Sequence, residues 1–259
     1  MEREELIGAA GENKPEILSR HYSVLVIDPY SINIKEAGPN TGDVRLSFYS
    51  AFVAHTAREI IEAGIADEIV LFDDASFGPE FASAGDLTLD YLTKDRIQPD
   101  GHYAPIIDKS KVHLYKGNNF ARTSPQVEEA GRFLKERGMQ GQEVLYLGWN
   151  YHKERVENHA KGFGVNVKYA SVEYAHKHFN PDFDLDKLYS VLPMNQIEAM
   201  EKNRRRVSRF DRKGVIPTVI QRMRGESGAY MLDNKRMPDG TLIFDYRPGK
   251  DRLIELGLE

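Results

Sequence analysis

Short apolar runs alternate with helix-patterned stretches over much of this chain, and that alternation limits its fold more than any other feature. The runs are Tyr22–Ile27 (YSVLVI), Glu68–Phe72 (EIVLF), Lys111–Tyr115 (KVHLY), Glu143–Gly148 (EVLYLG) and Val165–Ala170. EVLYLG, apolar throughout and bounded by polar residues, reads as a strand in the middle of a sheet. Between the runs lie helical patterns at Asp43–Ala63, Phe81–Leu92 and Ser124–Arg137. The first carries Leu46, Phe48, Phe52, Val53, Ile60 and Ile61 and is stopped by Gly64. Ser124-Pro125 reads as an N-cap followed by proline at the first helical position, and Gly138 and Gly141 end that helix. Strands alternating with helices predict an α/β fold: a Rossmann-like, doubly wound, mostly parallel sheet.

The flanks read differently. Residues 1–20 are a polar helical lead-in, and 21–180 form the α/β domain. After Asn180-Pro181, Asp182, Asp184 and Asp186 read as a short acidic linker. Residues 190–259 read as a small helical and hairpin lobe. It holds helices at Asn195–Phe210 and Val215–Met223 and a hairpin within Tyr230–Tyr246, signalled by Pro238-Asp239-Gly240. Glu201–Arg224 carries nine Lys/Arg against two Asp/Glu in a chain of net charge −5. Such a segment reads here as scaffold, with its arginines in water or paired with acidic residues. Nucleic-acid binding is not expected, since no recognised module or aromatic interleaving accompanies the charge.

The composition is that of a soluble globular protein, 41% hydrophobic and 29% charged. The chain has no cysteine, which excludes disulfides, thiolate metal sites and a cysteine nucleophile. The acidic start has no apolar run, and no segment has the length of a membrane span, so the expected location is the cytoplasm.

The candidate site follows the EVLYLG strand. Trp149-Asn150-Tyr151-His152 turns the chain, with Asn150 as candidate helix N-cap. His152, Arg155 and His159 then share one helix face. Cationic side chains at a helix N-terminus join the free N–H groups and the helix dipole in favouring an anion. A second candidate is Asn118-Asn119-Phe120-Ala121-Arg122-Thr123, between a strand and a helix. Asp73-Asp74-Ala75-Ser76 ends another strand and reads first as turn and cap residues. Asp43-x-Arg45 adds a cation at the start of the long helix. His55, His102, His113, His176 and His178 read as structural or surface residues, and no metal set is assigned. Asp28-Pro29 lacks the second aspartate of the haloacid-dehalogenase-like phosphatases. There is no Walker A motif and no dinucleotide fingerprint, so no cofactor is named.

The order of these motifs resembles the bacterial SanA/YdcF/ElyC-like family over about residues 20–175. The matching stretches are Tyr22–Ile27, Arg45-Leu46, Ala75-Ser76-Phe77-Gly78, Arg122-Thr123 and Gly148–Val156, the last similar to the family's Thr-Ser-x-x-His-x-x-Arg-Ala. The resemblance implies a Rossmann-like fold with a polar crevice. It implies a role in cell-envelope integrity for some members and S-adenosylmethionine binding for others.

The expected function is binding of a small anionic ligand, nucleotide-like or phosphorylated. The expected pocket is Arg45, Ser76, Asn119, Arg122, Thr123, Tyr151 and Arg155, with His152 as general acid/base if a phosphoester is hydrolysed or transferred. The alternative is a non-catalytic sensor or interaction protein using the same pocket.

Overall fold

The computed structural model describes residues 16–28, 32–33, 45–46, 48–73, 83–97, 103–105, 107–117, 123–191, 202, 204–213 and 215. The strands in chain order are β1 (Tyr22–Ile27), β2 (Ile32–Asn33), β3 (Arg45–Leu46), β4 (Ala66–Asp73), β5 (Asp95–Ile97), β6 (Tyr103–Pro105), β7 (Val112–Lys116), β8 (Glu143–Gly148) and β9 (Asn166–Ser171). The helices are α1 (Phe48–Glu62), α2 (Ala84–Thr93), α3 (Thr123–Glu136), α4 (Lys153–Phe163), α5 (Val172–Phe179) and α6 (Leu185–Val191). Residues 204–210 are helical as well.

Five strands form one sheet in the order β7-β4-β1-β8-β9, and every pairing in it is parallel. The fold is α/β, doubly wound and Rossmann-like, as the alternation predicts. The central strands are buried on both faces, which is why their sequences are unbroken apolar runs. Along β1, Leu25 and Ile27 enter one core with α1, α5 and α6, while Val24 and Val26 enter a second core with α3 and α4. The chain builds outward from β1 to β4 and β7. It then crosses back through α3 to place β8 on the other side of β1. The strand order therefore reverses between β1 and β8, and the crevice at their carboxyl ends is where such sheets bind ligands.

Several local expectations are corrected. The long helix starts at Phe48, not Asp43. Arg45 and Leu46 instead pair antiparallel with Asn33 and Ile32 in a two-stranded ribbon. Thr123, not Ser124, is the first residue of α3, and Pro125 sits in its first turn, where a missing N–H costs nothing. The acidic stretch after Pro181 is not a linker. Asp184 accepts a hydrogen bond from the Lys187 N–H at 3.0 Å at the start of α6, and Phe183 and Leu188 lie in the first core. Left-handed glycines end α1 at Gly64 and α4 at Gly164. The lead-in before residue 16, the Val215–Met223 helix beyond Val215 and the Tyr230–Tyr246 hairpin lie outside the described residues. No helix among the described residues is long and apolar enough to cross a membrane.

Candidate functional site

Trp149 anchors the turn after β8. It is 1% exposed, stacks with Tyr151 at 6.0 Å between centroids and meets Tyr49 edge-on at 5.4 Å. The turn that follows, Asn150–His152, is a single 3-10 turn running into α4. His152 is the cap residue of α4, and no side chain caps the helix there, so Asn150 is not its N-cap. The backbone N–H of Asn150 is held elsewhere: it donates to both carboxylate oxygens of Glu173, at 3.1 and 3.2 Å. Glu173 also accepts from the Ser171 hydroxyl. Burial pushes the Glu173 carboxyl up to about 7, against the hydrogen bonds from Ser171, from its own backbone, from Asn150 and from Tyr189. The carboxylate thus ties the turn carrying Tyr151 and His152 to the start of α5.

Gly148 ends β8 because the space above it is taken. A Cβ there would lie 2.6 Å from the Tyr169 hydroxyl oxygen. That hydroxyl donates to the Trp149 carbonyl at 2.6 Å, and the Tyr169 ring stacks on Tyr146 at 5.7 Å. Tyr146 donates to Gln126 Oε1 at 3.2 Å, and Gln126 Nε2 donates to Asp28 Oδ1 at 2.7 Å. Asp28 directly follows β1, so this chain of bonds spans the point where the strand order reverses. Burial raises the Tyr146 phenol well above its ordinary value; the Asp28 charge adds to the effect and the Arg155 charge opposes it. Arg155 also opposes the rise at Tyr169. Arg155, half-buried in the first turn of α4, lies near enough for its charge to act on both tyrosines.

The expected site residues divide into two sets. Tyr151, His152 and Thr123 are buried, at 6%, 4% and 5% exposure, and Arg155 is half-buried in the first turn of α4. His152 meets the Tyr151 ring edge-on at 4.5 Å. Thr123 opens α3 one turn before Gln126, at the same edge of the sheet. Arg45 lies in the ribbon rather than on a helix, and only its backbone is described. Ser76, Asn119 and Arg122 lie outside the described residues. Asp73, the last residue of β4, accepts from the Gly85 N–H at 3.1 Å, while Ser83 is the N-cap of α2; the rest of the Asp73–Ser76 stretch lies outside the described residues.

Asp28, Gln126, Tyr146, Tyr169 and Glu173 are not among the site residues to which the sequence points. Their signal is weak there, because each pairs with a residue on a different element. Tyr146 and Tyr169 are register partners across β8 and β9, visible only once the pairing is known.

The described basic segment rests on α4 through polar contacts. Asn158 donates to Ser208 at 3.1 Å, His159 Nδ1 lies 2.6 Å from the Arg212 carbonyl oxygen, and Arg209 pairs with Glu154 at 2.5 Å. His159 thus faces this segment, and burial lowers its pKa. Val207, Phe210 and Val215 are 42%, 83% and 55% exposed, so these three do not form a buried apolar side. The close approach is made at Gly162, where a Cβ would lie 2.7 Å from the Arg212 carbonyl oxygen and 2.7 Å from its Cβ. Gly→Ala in a helix interior ordinarily stabilises by about 1 kcal/mol. Here the backbone of Arg212 blocks the new methyl, and overpacking costs about 1–3 kcal/mol. Gly162→Ala is therefore expected to free the 204–213 segment, seen as faster tryptic cleavage at Arg204–Arg212 in limited proteolysis. Cleavage no faster than in the parent chain would show that the segment is not seated on α4.

Searches against protein-family models, curated proteins and solved structures give no match.

Proposed function

We propose that this chain binds a small anionic ligand, nucleotide-like or phosphorylated, in the crevice between the carboxyl ends of β1 and β8. What supports the reading is the Asp28–Gln126–Tyr146 chain of hydrogen bonds across the reversal of strand order, with His152 and Arg155 at the start of the helix that follows β8. Arginine grips phosphate or carboxylate through paired N–H donors. Asp28 supplies an acceptor suited to hydroxyl groups, so a sugar phosphate or nucleotide fits the pairing of opposite charges better than bare phosphate. The motif order, which resembles that of the SanA/YdcF/ElyC-like family, points to the same crevice. If the ligand is a phosphoester, His152 is the general acid/base and Arg155 stabilises developing negative charge.

The test is thermal stabilisation by a panel of nucleotides, sugar phosphates and S-adenosylmethionine, run beside an assay for phosphate release. Stabilisation with turnover supports an esterase or transferase; stabilisation without turnover supports a sensor. An unshifted melting temperature across the panel would overturn the proposal. Within it, Arg155→Ala removes a charge-assisted bond worth about 1.5–3 kcal/mol. Affinity should fall at least about tenfold by titration calorimetry. Unchanged affinity would place Arg155 outside the binding site.

A further inference from the structure

His55 and Glu59 lie one turn apart on α1, and His176 comes to them from α5. One donor atom from each of the three lies within 4.8 Å of the other two. Glu59 Oε2 is 2.8 Å from His176 Nδ1, and Glu59 Oε1 is 3.8 Å from His55 Nε2. The side chains are 12%, 13% and 4% exposed in the order His55, Glu59, His176. This cluster is apart from the crevice: helices rise about 1.5 Å per residue, so Glu59 lies roughly 16 Å along α1 from its start.

The Glu59 carboxylate collects polar partners. Asn180 Nδ2 donates to Glu59 Oε1 at 2.6 Å and to the His176 carbonyl at 3.2 Å, and it lies 3.1 Å from His176 Nδ1. His176 Nδ1 faces Glu59 Oε2 at 2.8 Å, a nitrogen and a carboxylate oxygen that a shared cation can bridge in place of a proton. His55 has the second feature of a metal ligand. Its other nitrogen, Nδ1, is 3.3 Å from the Tyr91 hydroxyl, which orients the ring and leaves Nε2 towards Glu59. Phe52 and Phe183 stand edge-on to His176 at 5.2 and 4.6 Å and provide an apolar surround.

We propose that His55 Nε2, the Glu59 carboxylate and His176 Nδ1 bind one divalent first-row transition cation of the zinc class. Two imidazoles and one carboxylate suit such an ion rather than calcium or magnesium, which prefer oxygen ligands throughout. Three protein ligands leave a fourth position for water. Bond lengths of about 2.0–2.2 Å place neighbouring ligand atoms about 3.4 Å apart, so the contact between His176 and Glu59 opens by about 0.6 Å. Coordination displaces any proton on Nδ1 to solvent, and the bound ion pins α5 to α1.

The test uses the full chain without a histidine tag, stripped with chelator and titrated with zinc, and with cobalt for its visible absorption bands. The expected result is one equivalent bound per chain, a higher melting temperature and cobalt bands of a four- or five-coordinate site. His55→Gln and Glu59→Gln should each weaken binding at least about tenfold. Tyr91→Phe, which leaves all three ligands in place, should weaken it about tenfold with circular dichroism unchanged. Failure of the parent chain to take up one equivalent would overturn the proposal even if the variants fold poorly. Uptake that is undiminished in both ligand variants would overturn it too, by assigning the ion to histidines elsewhere.

Discussion

Trp149→Ala is expected to lower stability by about 3–5 kcal/mol, the cost of emptying a large aromatic site in a packed core. For a chain of this size, that corresponds to a fall in melting temperature of roughly 6–20 °C. The indole is 1% exposed and lies against Tyr49, Phe52 and Tyr151, three rings with no other way to close the gap. Its carbonyl also receives the Tyr169 hydroxyl, so the collapse reaches the turn before His152. Trp149→Phe retains most of the packing and should lose much less. Thermal melts of the two variants against the parent decide the matter. A Trp149→Ala melt within about 2 °C of the parent, below what one kcal/mol produces, would mean that the indole is not the anchor of this turn. Trp149 is also the chain's single tryptophan, so its fluorescence reports on the crevice directly. Binding of the proposed ligand near Tyr151 and His152 should change that emission without any label.

The core strands were legible because they are buried on both faces, and such burial leaves an unbroken apolar run whatever the partners are. The ribbon of Ile32-Asn33 with Arg45-Leu46 was not, because Leu46 fits the apolar spacing of the following helix equally well. Only pairing with residues 12 or more positions earlier distinguishes the two. The acidic stretch misled in a similar way. Asp182, Asp184 and Asp186 dominate its composition, but Phe183 and Leu188 carry its packing. At the candidate site, the strand–turn–helix at Gly148–Arg155 is legible from local pattern, since strand, turn and helix are consecutive. The bonds that support it join distant segments: Asp28 to Gln126, Asn150 to Glu173, and Asn158 to Ser208. His55 and Glu59 show a helical spacing in the sequence, but nothing local brings His176 to them.

Glu173 should give the protein a distinctive dependence of stability on pH. The carboxyl titrates at about 7 in the folded chain and near 4.5 when unfolded, because burial outweighs the hydrogen bonds from Ser171, its own backbone, Asn150 and Tyr189. Between those two values the folded state holds a proton that the unfolded state has lost. Stability therefore falls as pH rises across that window, and this contribution is flat outside it. Each pKa unit is worth about 1.4 kcal/mol, so the full effect is roughly 3 kcal/mol. Glu173→Gln stays neutral at every pH and keeps an oxygen for the Asn150 N–H, while the Ser171 hydroxyl can turn to accept from the new amide. The variant should lose this slope and be the more stable protein near pH 8. Urea midpoints for both chains at several pH values from about 4.5 to 8 provide the measurement. Other groups act on both chains alike: Asp73, raised by burial, has the same sign as Glu173, and His159, lowered by burial, has the opposite one. The difference between the two curves isolates Glu173. A difference that stays constant across the window would remove the buried carboxyl from this role. A difference that opens with pH would show that the turn bearing His152 is tied down by a carboxylate whose charge destabilises the fold at neutral pH.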